Sequence, residues 1–270
     1  GKIALVDRGN CTFEVKVATA QAAGAVGVVI ADNVVADQPI TPGGDPTTKN
    51  PTLPAQGTTQ AAGVALKAAL QQGVQVARMF ATATVERDGT LDNMIVAHEW
   101  GHFLHHRLVE CGSRACAAES EGWGDFVALH MALREYDDLD GSFAMDTYAS
   151  LDPSAYFGIR RVPYSVDPAH NALSFRHISD GQALPDSHPM RVSGPNSQVH
   201  NAGEVWASMM WESYVALHKA HQHDLDFDAR RRLMSDYVVA GMMLAPPSPT
   251  FTEQRDALLM AIAARSHDDF

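Results

Sequence analysis

His98 and His102 stand four residues apart with Glu99 beside the first, an arrangement able to hold one divalent metal and set a base next to it. On a helix, positions i and i+4 share a face and are separated by a rise of about 6 Å. Both imidazoles therefore reach one ion, and Glu99 sits beside the water which that ion would polarise. With 13 histidines in 270 residues the pattern alone decides little. A catalytic zinc takes three protein ligands and keeps one position open, and Glu121 stands at a workable distance to be the third. One turn later Asp125 faces the same way, where it can accept the free ring proton of a metal-bound imidazole and fix its tautomer.

Two helices must carry these groups. The first is expected to start with Asp92 or Asn93 as its cap, to carry Met94, Ile95, Phe103, Leu104 and Leu108, and to stop by Cys111-Gly112. The second is expected over residues 117–136, with Phe126, Leu129 and Leu133 as apolar contacts and Glu121 near its start. Gly122 and Gly124 each cost roughly 1 kcal/mol inside a helix, which implies close approach to a neighbour, taken here to be the histidine helix. His105 shares the face of His98 but lies about 10 Å further along the axis, too far to join the same ion. It and His106 read as packing or solvated residues.

His98-Glu99-x-x-His102 followed by Glu121-Gly122-Trp123-Gly124-Asp125-Phe126 resembles the fungalysin family of secreted zinc endopeptidases, relatives of thermolysin. The run Asp-Gly-Thr-Leu-Asp-Asn at 88–93 is similar to the lead-in to the histidine helix in bacterial members. The stretch 249–257 is similar to a late fungalysin helix. Val-His-Asn-Ala-Gly-Glu-Val-Trp at 199–206 resembles the place where thermolysin relatives keep a histidine facing the metal. The resemblance implies one zinc held by His98, His102 and Glu121, Glu99 as general base and then acid, and His200 as a donor to the oxyanion. Asp180 or Asp186 is a candidate to orient His200. Trp100 stands where fungal members usually carry Tyr, and no Tyr falls between Phe103 and Ser120. The second oxyanion donor is thus unassigned, with Arg114 as a candidate.

The first 87 residues contain no histidine and differ in pattern. Apolar runs at 3–6 and 26–31 flank an Ala-rich helix at 13–23, and after a Pro/Gly-rich loop a helix is expected over 59–72 and a strand within 74–85. The segment Gly-Lys-Ile-Ala-Leu-Val-Asp-Arg-Gly-Asn-Cys-Thr-Phe at 1–13 resembles the protease-associated domain, which implies a lid or substrate-access role. The resulting fold class is α+β. A small β/α protease-associated module over 1–87, partial because its start is expected upstream of Gly1, precedes a mainly helical thermolysin-like zinc peptidase lobe over 88–270, also expected to be truncated.

A net charge of −12 disfavours nucleic acid and anionic lipid as partners, and no apolar run reaches the roughly 18 residues a bilayer span needs. The partner implied is a protein or peptide substrate, met outside the cell. Cys111 and Cys116 bracket the loop between the ligand helices, and either a local disulfide or free thiols fits, with Cys11 left over. Beyond 136 the periodicity fades over 148–197 and returns in helices expected over 203–221, 229–244 and 252–265. Two rival functions share the motif: a zinc aminopeptidase, which needs an anchor for the substrate amine, and a catalytically silent binding protein with a structural zinc.

Overall fold

The computed structural model describes residues 1–35, 39–43, 51–79, 87–152, 154–191 and 194–270. The chain divides into two compact units, Gly1–Val85 and Glu86–Phe270.

In the first unit three strands, β1 (Lys2–Asp7), β2 (Ala25–Ala31) and β3 (Ala55–Thr58), form a parallel sheet in that order. Helix α1 (Phe13–Ala22) connects β1 to β2, and α2 (Gln60–Gln71) follows β3. Thr12 and Thr59 open these helices by accepting from the amides of Val15 and Ala62, the role for which a hydroxyl before a helix is favoured. Val17 and Ala20 of α1 pack on Val28 and Ile30 of β2. β3 escapes the sequence pattern because it is four residues long and carries Gly57, where a Cβ would fall 1.8 Å from the carbonyl oxygen of Ile40. The strand expected within 74–85 does not form over 74–79, and 80–85 lie outside the described residues, as do 44–50 of the preceding loop.

The second unit is built from helices. A single 3₁₀ turn, Gly89–Leu91, leads into α3 (Asn93–Leu108), which is followed by α4 (Arg114–Ala132), α5 (Val199–Ala220), α6 (Phe227–Leu244) and α7 (Phe251–Arg265). Asp92 is the cap of α3: one carboxylate oxygen accepts from Met94 N at 3.0 Å and the other from Ala149 N at 3.0 Å, tying the helix start to the later loop. Ser113 caps α4 by accepting from Cys116 N at 3.1 Å, so this helix begins three residues earlier than expected. It also ends earlier, because the Asp137 carboxylate accepts from Arg134 N at 2.8 Å and turns the chain. Glu121 therefore sits mid-helix rather than near the start. Cys111 and Cys116 are joined in a disulfide across the connection, and Cys11 is exposed.

The core of this lobe lies where α4 meets α5, with Trp123 edge-on to Trp206 at 5.2 Å and Phe126 against Tyr214 at 5.7 Å. Trp123, Trp206, Trp211 and Tyr214 are all essentially excluded from solvent. Burial of aromatics on this scale supplies most of what orders two long helices side by side. Gly122 faces this interface: a Cβ there would meet Gly203 O at 2.6 Å, so its neighbour is α5 and not the histidine helix. Among the described residues no helix is long and apolar enough to cross a membrane.

His130 and His218 flank Tyr214 within this core, at ring distances of 5.1 and 4.5 Å. Burial, reinforced by the charges of Arg231 and Arg230, lowers both to about 4. Since the unfolded chain protonates them near 6.5, their neutral burial stabilises the fold above that pH, and the stability is lost as pH falls from about 6.5 to about 4. The stability difference between the parent and His218→Gln is expected to shift against the parent by about 1.4 kcal/mol per pH unit across that window. Urea unfolding of both proteins, stepped from about pH 7 to about pH 4.5, measures it. A difference that is independent of pH contradicts the assignment.

Candidate metal centre

His98 and His102 both project from α3 toward α4, where Glu121 meets them. Glu121 Oε2 lies 3.4 Å from His98 Nε2 and 3.8 Å from His102 Nε2, and His200 Nε2, from the first turn of α5, approaches the same oxygen at 3.3 Å. Despite three nitrogens around it, this buried oxygen makes no hydrogen bond of acceptable geometry. Ligand atoms about 2.0–2.1 Å from one tetrahedral zinc lie about 3.3–3.4 Å from each other. The separations match that spacing better than they match a pairing of the groups with one another.

The far nitrogens of the two rings are already committed. His98 Nδ1 lies 2.7 Å from Asp125 Oδ1, and His102 Nδ1 lies 2.7 Å from Ser120 Oγ, which in turn lies 2.9 Å from His106 Nε2. An Nδ1–H donated outward leaves each Nε2 lone pair aimed at the common point. Exposure rises across the site. The side chains of His98 and Glu121 are 11% and 15% exposed, that of His102 is 25% and that of His200 is 49%. The tripod forms a floor and His200 a rim, so the fourth side is open to solvent. Glu99 is exposed beside it, close enough for its charge to act on the His102 ring.

Electrostatics favours a cation at this point. Burial alone would lower His98, yet the carboxylates of Asp125 and Glu121 raise it to about 9. Burial would raise Glu121, but the surrounding imidazoles hold it below the usual carboxylate value. His102 is lowered by burial and by the neighbouring His98. Asp125 is 1% exposed, and although burial would raise it, the Arg160 guanidinium holds it far below the usual range. Arg160 donates through Nε and Nη2 to the two oxygens of Asp125, each at 2.6 Å, and Tyr164 donates its hydroxyl to Oδ2 as well. Such a bidentate pair is both strong and directional.

Arg160 and Tyr164 come from the aperiodic stretch, which is shaped by backbone bridges between Phe143 and Tyr164 and between Met145 and Gly158. Gly158 has φ 57°, and a Cβ there would sit 1.6 Å from Met145 O, so this turn requires glycine. Arg161, wholly buried, pairs with Glu204 of α5 at 2.7 Å and donates to Asn196 Oδ1 at 2.9 Å. Consecutive arginines thus clamp α4 and α5 together under the site.

His200 is oriented by Gln198, neither by Asp180 nor by Asp186. Gln198 Oε1 accepts from Asn201 N at 3.0 Å as the cap of α5, which turns its Nε2 toward His200 Nδ1 at 2.6 Å. With Nδ1 accepting, the ring proton belongs on Nε2. Asp180 instead accepts from the amide and hydroxyl of Ser197 at 2.9 and 2.8 Å. Arg114 donates to Ser197 O at 3.2 and 2.9 Å and so fastens the start of α4 to the start of α5. No oxyanion role for it follows from that contact.

Gly124 does face the histidine helix: a Cβ there would lie 2.7 Å from His98 Nδ1 and Cε1, and one on Gly101 would lie 2.7 Å from Gly124 Cα. Gly124→Ala must displace the His98 ring from Asp125. We expect a loss of 10- to 100-fold in zinc affinity, the scale on which disturbed outer partners act, with the helix content retained. Competition with a chromophoric chelator measures it, and unchanged affinity contradicts this packing.

Two helices bring two imidazoles and a carboxylate within 4.8 Å of one another, a group that could hold a metal ion, in a His-Glu-x-x-His sequence. The family model for fungalysin metallopeptidases matches residues 49–269, and that for the PA domain matches residues 1–66. The chain belongs to the fungalysin metallopeptidase family. Its relatives include a probable extracellular metalloproteinase 3 of Trichophyton verrucosum, 34% identical over 198 residues, and the extracellular metalloproteinase mep of Aspergillus terreus, 30% identical over 197. These alignments cover 67% and 66% of this chain, and the chain spans 28% of the length of each relative. An extracellular metalloproteinase 3 of Trichophyton soudanense is 33% identical over 199 residues, covering 67% of this chain and 46% of its own.

Proposed function

We propose that the chain carries the catalytic centre of a secreted zinc metalloendopeptidase, with one zinc held by His98, His102 and Glu121. The observation that carries this reading is the orphaned Glu121 Oε2 with three Nε2 atoms turned toward it. Secretion is supported by relatives named extracellular metalloproteinases.

Bound zinc supplies Lewis acidity toward a carbonyl oxygen and toward water. Glu99, on the solvent side of α3, takes the proton of the attacking water on its carboxylate and delivers it to the leaving amine nitrogen. His200 donates its Nε2–H to the oxygen on which negative charge develops, while Gln198 keeps Nδ1 as acceptor. Asp125 and Ser120 hold His98 and His102 in the tautomers that free both Nε2 atoms. Arg160 stays with Asp125, so this carboxylate positions the ring and takes no proton.

Hydrolysis of an internally quenched peptide blocked at both ends tests the proposal. The expected result is cleavage that a chelator abolishes and stoichiometric zinc restores. Cleavage only of peptides with a free amino terminus makes the protein an aminopeptidase, and zinc binding without any cleavage makes it a silent binder. Either outcome overturns the proposal.

A further inference from the structure

One turn beyond the tripod, the same two helices bring together a second set of metal-ligating side chains. His105 of α3 and Glu119 of α4 are both 0% exposed. Neither ring nitrogen of His105 and neither carboxylate oxygen of Glu119 has a hydrogen-bond partner. Four unpartnered polar atoms in one spot of a core are costly, and nothing in the peptidase reading uses them. Beside them is Cys116, also 0% exposed, and one atom each from His105, Cys116 and Glu119 lie within 4.8 Å of one another. Cys111 is bonded to Cys116 and lies within the same distance of His105.

A disulfide sulfur is a poor ligand, whereas a thiolate is among the best for zinc. We propose that, with the Cys111–Cys116 bond reduced, His105, Cys111, Cys116 and Glu119 bind a second, thiophilic divalent cation of the zinc class. Four protein ligands with no open position make a closed, structural site, unlike the open tripod next to it. Reduction passes two electrons and two protons from an external dithiol to the Sγ–Sγ bond, giving two thiols and the oxidised dithiol. Capture of the cation then releases the protons of both thiols and of the Glu119 carboxyl to solvent. Ligand atoms around zinc are separated by about 3.3–3.8 Å, so on reduction the two sulfurs part while the atoms of His105, Cys116 and Glu119, now within 4.8 Å of one another, draw in. Cys111 is only partly buried and provides the entry side. His106 lies within the same distance of His105 and Cys111, but its Nε2 is taken by Ser120. The two states exclude each other: either the disulfide or the cation joins the α3 exit to the α4 start.

Cobalt(II) titration of the full chain carrying Cys11→Ser tests this, because thiolate–cobalt charge transfer in the near ultraviolet is absent from a site made of imidazole and carboxylate. The oxidised protein is expected to take up one equivalent without that band. After reduction with a phosphine it is expected to take up a second equivalent with the band. His105→Gln and Glu119→Gln should each weaken the sulfur-linked equivalent at least about tenfold. No band on reduction overturns the proposal. So does a band of unchanged affinity in both variants, since two thiols alone would then account for it. Should reduction unfold the helices, cobalt must restore the far-ultraviolet helix signal, and failure to do so equally contradicts the site. The band-free first equivalent reports on His98, His102 and Glu121 separately, so the two readings can fail independently.

Discussion

On the proposed mechanism, replacing Glu99 by Gln is expected to lower peptide turnover by a factor on the order of 10²–10⁴ and to leave zinc binding unchanged. The amide matches the carboxylate in size and still accepts hydrogen bonds, but it cannot take a proton from water. The substitution is also expected to leave the fold intact, because Glu99 is exposed on α3. Steady-state hydrolysis of the blocked peptide together with metal analysis separates the possible roles. Full activity removes Glu99 as the base. Loss of zinc with loss of activity makes it a ligand instead.

The second large effect lies away from the reacting atoms. Arg160→Met is expected to destabilise the protein by about 3–5 kcal/mol, the cost of leaving a buried carboxylate without its counter-charge. Asp125 is 1% exposed and Arg160 4%, and burial this complete removes the option of rehydrating the acid. The double variant Arg160→Met with Asp125→Asn should recover much of that loss, since it removes both charges together. Urea unfolding of the four proteins gives the cycle. A single-variant effect under about 1 kcal/mol, the scale of an exposed pair, contradicts the role given to Arg160. In the double variant the carboxylate beside His98 Nδ1 is gone, so weaker zinc binding should persist where stability returns.

The tripod was legible because its chemistry is periodic. His98 and His102 repeat at helical spacing, and Glu121 and Asp125 repeat it on the next helix, so register puts each pair on one face of its helix, while the meeting of the two faces is a matter of tertiary packing. The glycines were half legible. Their presence signalled close approach, but Gly122 and Gly124 point to opposite neighbours, and only the packing of α3 and α5 on two sides of α4 decides which. Arg160, Tyr164, Ser120 and Gln198 carried no signal. The first two lie in a stretch without periodicity and arrive through two isolated bridges and one glycine turn. Ser120 is an ordinary small residue until His102 and His106 stand on either side of it. Gln198 is an uncommon helix cap, and it was the cap that brought the start of α5 forward to Val199. Likewise β3, four residues with a glycine, has no alternation to read and exists because β2 offers it a free edge.

His98, His102 and Glu121 are proposed to share one metal. Anomalous diffraction at the zinc edge from crystals of the zinc-loaded protein measures this directly. We predict one peak about 2.0–2.2 Å from His98 Nε2, His102 Nε2 and a Glu121 oxygen, and its disappearance at equal zinc concentration in Glu121→Ala. A peak coordinated by other side chains, or one that survives unchanged in Glu121→Ala, contradicts it.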